Sequence, residues 1–540
     1  MAGLTTLPSF GGPNSAKAPQ TSPSLIKPHE RRFPARGPLA CGYVTSVRTC
    51  ALQVHTAHTP QSLAACVRRY GGLILFESAG SWAGPGRFSF VAAAPQQVFR
   101  SRGACCEVIS EGSARVTFGN PWRVLDRLLD RHDLAEEADL PFPAGFCAGF
   151  WGYELRRFIE PRLRPHPVAD LDFPDCWLGF HDSLVVFDHE TGGAWIISTG
   201  VQPDGSRSPG RLAQRLDFWR RLLRAPPSPP QSCVLPDTPP QPEAMNRQAF
   251  MDRVRQAQCY IRQGDIYQVN LAQRWVVRPG LESWNLYQAL SRRSPAPYAA
   301  FLEGDDFALA SASPELFLRL DGLTVRTRPI KGTRARGADP AEDAAFAAAL
   351  RASAKERAEL TMITDLLRND LGKVCAYGSV RVPELMRLET FSHVQHLVST
   401  VEGRLRAGVT HLQALEACFP GGSITGAPKF RAMQIIDELE PVGRGPFTGC
   451  LGYLGFNRQS QLAMTIRTAF CRPEATWYYA GAGIVADSDS EAEHAETLAK
   501  ARGFLDCLDN RGAGAESFAL AGLTSRRFKE EDKARTWSFT

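Results

Sequence analysis

The chain has 540 residues, 44% hydrophobic and 22% charged, with a formal net charge of +6. These proportions suit a soluble globular protein long enough for several domains. So small a surplus, with no long basic run, argues against nucleic acid, and no apolar run approaches the roughly 20 residues of a membrane span.

Fourteen cysteines are scattered through apolar stretches without a CxxC pair, which reads as a reduced, cytoplasmic chain. Residues 1–45 carry one acid, Glu30, against five Lys and Arg. An organellar transit peptide shares that bias and stays open. No amphipathic arginine-rich helix is visible, however, and the segment reads as a disordered extension.

Residues 46–225 make a first lobe. In it "SLAACVRRYGGLILFESAG" (62–80) reads as helix, glycine turn and strand. "LGFHDSLVVFDHETGGAWIIST" (178–199) reads as a hairpin of two β-rich runs around "HETGG". "LAQRLDFWRRLLRA" is a short amphipathic helix. Residues 226–242, "PPSPPQSCVLPDTPPQP", form a connector that cannot continue a helix or sheet.

Residues 243–511 make a second lobe. "NRQAFMDRVRQAQCYIRQGDIYQVNLAQRW" gives a helix, a stop at Gly264 and a strand. "ELFLRLDGLTVRTRPI" (315–330) is a hairpin turning at Asp321-Gly322. Residues 340–372 are helical, and the tail 512–540 lacks a periodic apolar face. Strands and helices follow in irregular order, which predicts an α+β fold.

Two motifs are decoys. "GGSITGAPK" (421–429) has Ala-Pro-Lys where a phosphate loop needs Lys then Ser or Thr. "GFCAG" (145–149) fits a nucleophile elbow with His494 as partner, but its continuation "FWGYELRRF" reads as packed sheet. Cys147 is therefore expected to be structural.

Charged residues sit where apolar ones belong. On "KERAELTMITDLLRNDLG" (355–372), Glu359 shares a face with Ile363 and Leu366. A buried carboxylate needs a partner, either an internal salt bridge or a metal. On helix 487–505, opened by a Ser488–Glu491 capping box, Glu493, Glu496 and Lys500 share a face. A solvated face would explain that, and so would Mg²⁺, which takes a few carboxylates plus an anionic substrate. The strand through Gly481 and Gly483 runs into this helix and offers bare N–H groups to an anion. In "VRTRPIKGTRARG" (325–337) four arginines alternate, but Lys331 lies between Ile330 and Gly332.

"PIKGTRARG", "ELTMITDLLRNDLGKV", "HVQHLVSTVEG", "FPGGSITGAPKFRAMQIIDELE", "LGYLGF", "AMTIRTAF" and "GAGIVADSDSEAEHAETLAKA" occur in this order. Together they resemble the chorismate-utilising enzymes over residues 246–505, with a weaker match back to about residue 60. The resemblance implies a four-layer α/β/β/α sandwich of two large sheets with outer helices, whose halves intertwine across the connector. Within the family the chain resembles component I of the aminodeoxychorismate synthases. Anthranilate synthases typically carry Ala at the position of Lys331 and Leu-Ser at Ile424-Thr425, and Asn270 also favours the former.

That resemblance implies catalytic roles. Lys331 would attack C2 of chorismate as the neutral amine, although free lysine titrates near 10.4. Glu315 would be the general acid, and His396 would lie near the leaving hydroxyl. The hairpin pairs Glu315 near Arg328, and a bulge near Pro329 would bring it to the face of Lys331. Arg467, Lys500, Tyr453, Thr425 and the amides of Gly426, Ala427 and Gly483 would bind substrate. Glu359, Glu493 and Glu496 would hold Mg²⁺. Glu77 and Ser78 would line a tryptophan pocket. The expected product is 4-amino-4-deoxychorismate, with ammonia from a separate glutamine amidotransferase subunit. The alternatives are anthranilate synthase component I and a non-catalytic chorismate-binding homologue.

Overall fold

The β-rich runs pair into two antiparallel sheets, each of twelve strands among the described residues. The computed structural model describes residues 48–78, 86–136, 140–166, 168–227, 235–236, 239–390 and 394–508. The extension 1–45, the tail 512–540 and most of the connector's middle lie outside them. All described residues belong to one unit, Val47–Thr540.

The first sheet runs Cys50–Val54, Gly193–Ser198, Ser183–Asp188, Phe88–Ala92, Ile74–Glu77, Tyr298–Glu303, Ala308–Ser313, Thr468–Cys471, Thr476–Ile484, Gln268–Val277 and Gln241–Glu243. Gly426–Ala427 adds to its Gln268 strand. The second runs Ile330–Ala335, Val394–Arg404, Thr324–Arg328, Leu316–Asp321, Gln459–Met464, Cys450–Gly455, Phe146–Trp151, Cys176–His181, Gln97–Arg102, Cys105–Ser110 and Ser113–Phe118. Arg381–Thr390 pairs with Val394–Arg404. Strands from both sides of the connector therefore enter both sheets.

Between the sheets lies an aromatic core that includes Phe90, Phe146, Phe150, Trp177 and Phe470. Fully burying such a side chain contributes about 1.5–3 kcal/mol, and Phe150→Ala would cost about 3–5 kcal/mol through the cavity it leaves. Helices cover the outer faces. Leu63, Trp219, Tyr287 and Phe504 pack on the first sheet, and Trp122, Ile363 and Leu415 on the second. The result is the expected α/β/β/α layering.

Four local details differ from the sequence expectation. The run 178–188 is two strands, because Cys176–His181 lies in the second sheet and Ser183–Asp188 in the first. The corner is Asp182, fully buried and paired with Arg211 and Arg215 at 2.6 and 3.2 Å. The 315–330 hairpin pairs Asp321 with Thr324, so it turns at Gly322-Leu323, one residue late. Its register shifts between Leu316 and Arg319, and a second shift falls between Lys331 and Thr333 rather than at Pro329. The 340–372 segment is two helices, Pro340–Ala352 and Ala354–Gly372, divided where Ser353 caps the second. Finally, the last helix begins at Ser490, capped by Asp489, and Ser488 bonds Glu493 instead of boxing with Glu491.

Candidate active site

Lys331 stands at a bulge made possible by Gly332. That residue has φ +67°, and a Cβ on it would lie 2.7 Å from Leu350 Cδ1. Only glycine combines this backbone with so close an approach. The Lys331 Nζ lies 3.3 Å from Glu359 Oε2 on helix Ala354–Gly372. It would lie 3.2 Å from a Cβ on Gly483, which belongs to the opposite sheet. The lysine thus reaches from one sheet to the other.

Helix Ser490–Leu508 supplies the other carboxylates. Lys355 Nζ is 3.0 Å from Glu493 Oε1 and 3.9 Å from Glu359 Oε1. Lys500 pairs with Glu496 Oε1 at 2.7 Å and donates to the Gly481 carbonyl at 2.9 Å. Burial raises the Glu496 carboxyl, but Lys500, Lys331 and Lys355 outweigh it and hold it below the usual range. Glu356, which sequence reasoning missed, moves the other way. Burial and the neighbouring Glu359 and Glu496 charges push it up.

Glu315 follows strand Ala308–Ser313 and is buried. Burial pushes its carboxyl up to about 7, against the Ser423 hydrogen bond and the charges of Lys331 and Lys500. Ser423 Oγ donates to Glu315 Oε1 at 2.6 Å. His396 pairs across the ladder with Thr333, two residues from Lys331. Its ring is pushed down to about 4 by burial, with Arg467 adding to the effect and the Gly332 carbonyl opposing it. Neutral imidazole is the form at neutral pH.

Arg467 has φ +53°. A non-glycine residue in that region carries strain of about 1–3 kcal/mol, a cost typical of functional sites. No described residue hydrogen-bonds or ion-pairs with its guanidinium, so the planar fork is available to an anion.

The loop 421–427 closes this end of the site. Gly426 has φ +142°, and a Cβ there would lie 2.1 Å from the Gln268 carbonyl. Gly426 and Ala427 pair with Val269 and Gln268. Buried Arg444 ties the loop to that strand, donating to the carbonyls of Ile424 and Asn270 at 3.0 and 2.9 Å. Asn270 pairs with Gly483. Thr425 differs from expectation: its hydroxyl is fully buried and donates to the Gly421 carbonyl at 2.8 Å. It braces the loop and presents no free polar group.

Gln268 was also missed. It is 1% exposed, and its Oε1 has no hydrogen-bond partner among the described residues. Its Nε2 would lie 2.4 Å from a Cβ on Gly483. Its strand also carries Asn270, Gln273 and Arg274, so no signal in the sequence set Gln268 apart.

Tyr453 lies elsewhere. Its ring sits 5.5, 5.4 and 5.5 Å from Phe76, Phe90 and Phe146, in the aromatic core between the sheets. Strand alternation explains it: Leu451 and Tyr453 face that core, whereas Cys450 and Leu454 face the helices. Tyr453 lines a cavity with Glu77, Ser78, Phe88, Tyr298 and Gln461. There Glu77 accepts from Tyr287 and Gln61 at 2.7 and 2.9 Å. Cys147 is a mid-strand residue, fully buried, and burial pushes its thiol well above its usual value.

The residues present fit a divalent cation in their donor chemistry. Glu493 is 1% exposed, and its Oε2 has no hydrogen-bond partner among the described residues. A carboxylate oxygen so placed is costly unless a cation reaches it. Among the described residues no three acidic or histidine side chains converge closely enough to enclose an ion as they stand. Lysine ammoniums lie between the carboxylates instead.

The profile of the chorismate binding enzymes matches residues 87–506. The chain belongs to this family. Among chorismate binding enzymes, it is 40% identical over 405 residues to aminodeoxychorismate synthase component 1 of Escherichia coli K12, covering 74% of this chain and 86% of that one. It is equally 40% identical over 442 residues to anthranilate synthase component 1 of Thermus thermophilus, covering 79% and 90%. Anthranilate synthase component I from Streptococcus pneumoniae TIGR4 superimposes with a TM-score of 0.69 at 32% identity, covering 78% of this chain and 93% of that one. The isochorismate synthase MenF of Escherichia coli shares the fold, with a TM-score of 0.65 at 21% identity, covering 85% and 94%. As a chorismate binding enzyme the chain acts on chorismate. Its relatives divide between two products. No helix among the described residues is long and apolar enough to cross a membrane.

Proposed function

We propose that the chain is component I of an aminodeoxychorismate synthase, converting chorismate and ammonia to 4-amino-4-deoxychorismate on the way to 4-aminobenzoate and folate. The observation that carries the reading is Lys331. Its amine lies inside the site, at a bulge, with the charge of buried Glu315 close enough to interact. Component I relatives carry their number because they work with a second subunit, and ammonia would come from such a glutamine amidotransferase. Catalysis would take place in the cytoplasm.

In this reading Arg467 and Lys500 bind the substrate carboxylates, with the backbone of Gly426, Ala427 and Gly483. Lys331 attacks C2 as the neutral amine, the ring double bonds shift, and the C4 hydroxyl leaves as water with the Glu315 proton. Ammonia then attacks C4, the double bonds return, and the Lys331–C2 bond breaks. The ammonium formed at C4 supplies the proton that restores Glu315. Neutral His396 orients the departing hydroxyl by hydrogen bonding. Glu359, Glu493 and Glu496, with Glu356 beside them, would hold Mg²⁺. When bound, the metal supplies charge neutralisation for the ring carboxylate.

The equal similarity to anthranilate synthases favours a second reading, in which the products are anthranilate and pyruvate. Incubation of the chain with chorismate, ammonia and Mg²⁺, followed by mass analysis, separates them. 4-Amino-4-deoxychorismate without pyruvate supports the first reading; anthranilate with stoichiometric pyruvate rejects it.

A further inference from the structure

The carboxylates Glu359, Glu493 and Glu496 are matched by three lysines, and Lys355 is the one that bridges two helices. It pairs with Glu359 on its own helix and Glu493 on helix Ser490–Leu508. We propose that Lys355 is a built-in counter-ion of the metal site. It holds Glu359 and Glu493 when no metal is bound, and a divalent cation displaces it. This rests on the Mg²⁺ assignment above.

Charge balance is the first argument. Lys331, Lys355 and Lys500 pair with the three glutamates. With Glu356 beside them, four carboxylates face three ammoniums, so a divalent cation added to the cluster would leave one uncompensated positive charge in a partly buried site, which is costly. One ammonium must therefore leave, and the Lys355 side chain is 43% exposed, against 14% for Lys331 and 34% for Lys500. It can reach water by rotating about its own stem.

Helix position is the second argument. Lys355 is the second residue of its helix, after the Ser353 cap and Ala354. A cation there opposes the positive end of the helix dipole, so the helix itself favours its release. The third argument is Glu493. Its Oε1 accepts from Lys355 and Ser488 at 3.0 and 2.7 Å, while its buried Oε2 has no described partner. One ammonium leaves this carboxylate half-satisfied, and a metal ion can take the remaining oxygen.

The test is calorimetric titration of the intact chain with Mg²⁺, in wild type, Lys355→Met and Lys355→Arg. Removing the competing cation should tighten Mg²⁺ binding by about tenfold, because the lysine-bound state no longer reduces the competent fraction. Lys355→Arg keeps the competitor, so it should stay near wild type and show that any gain is not a general effect of substitution. In parallel, acetylation of Lys355 by a water-soluble acetylating reagent, read by peptide mass spectrometry, should speed up at saturating Mg²⁺. Equal or weaker Mg²⁺ binding by Lys355→Met, or unchanged acetylation of Lys355, would overturn the proposal while leaving the metal assignment standing. Wild type that takes up no Mg²⁺ would overturn both.

Discussion

Lys331 Nζ and Glu359 Oε2 lie 3.3 Å apart, with both side chains largely shielded from water. Removing one member of such a pair leaves a poorly compensated charge, at a cost of about 3–5 kcal/mol for a fully buried pair. Lys355, at 3.9 Å, softens the loss at Glu359. Lys331→Met and Glu359→Gln should therefore each lower urea stability in the metal-free chain, by about 2 kcal/mol after that discount. The double variant should lose less than the sum, by at least about 1 kcal/mol. Additive losses would mean that the pair is not formed in solution.

Two buried groups give opposite pH signatures. Glu315 is raised from 4.5 to about 7. The folded chain therefore holds its proton more tightly than the unfolded chain. The associated stability is complete below 4.5 and is lost as pH rises through 7. His396 is lowered from 6.5 to about 4, so its contribution is complete above 6.5 and is lost as pH falls through 4. The stability advantage of wild type over Glu315→Gln should thus shrink from pH 5 to pH 8. As a general acid, Glu315 should also give a rate that falls above about pH 7. Ser423 donates to this carboxyl and favours its charged form. Ser423→Ala should therefore move that limb of the kcat/KM profile to higher pH.

The residues that were legible in the sequence are those that violate a local pattern. Glu359 on an apolar helix face and Lys331 between Ile330 and Gly332 were anomalies before any fold was known. Glu493, 1% exposed, proved more anomalous than the solvated helix face that was its rival reading. Ser423 and Gln268 broke no such rule, since serine in a glycine loop and glutamine in a strand are common. Tyr453 received its substrate role from the family resemblance alone, whereas strand alternation turns it to the inter-sheet core. The corner at Asp182 was invisible because both strands beside it are apolar. A one-dimensional run does not show that it changes sheets.

Metal dependence follows from the carboxylate cluster. Turnover should vanish in excess chelator and return with Mg²⁺, and Glu359→Gln and Glu496→Gln should abolish it at ordinary Mg²⁺ concentrations. Steady-state assays with buffered metal check this. Full activity in chelator would remove the metal from the account.

The nitrogen source and the Tyr453 cavity can be examined with the same assay. Cys147 is fully buried in mid-strand, so the chain alone should use ammonia and not glutamine. Tyr453→Phe should change the KM for chorismate by less than about twofold, since its ring faces the inter-sheet core. Glutamine-driven turnover by the isolated chain, or a large KM increase in Tyr453→Phe, would show that the site has been drawn in the wrong place.

The central claim is that the Lys331 amine is the nucleophile, and trapping its adduct tests this most directly. Wild-type chain should be incubated with chorismate and Mg²⁺ without ammonia, quenched and mapped by peptide mass spectrometry. The account predicts an adduct with the mass of chorismate less water on Lys331. It also predicts that Lys331→Ala forms no such adduct and makes no 4-amino-4-deoxychorismate when ammonia is supplied. An adduct on another residue, or a Lys331→Ala variant that makes this product at the wild-type rate, would contradict it.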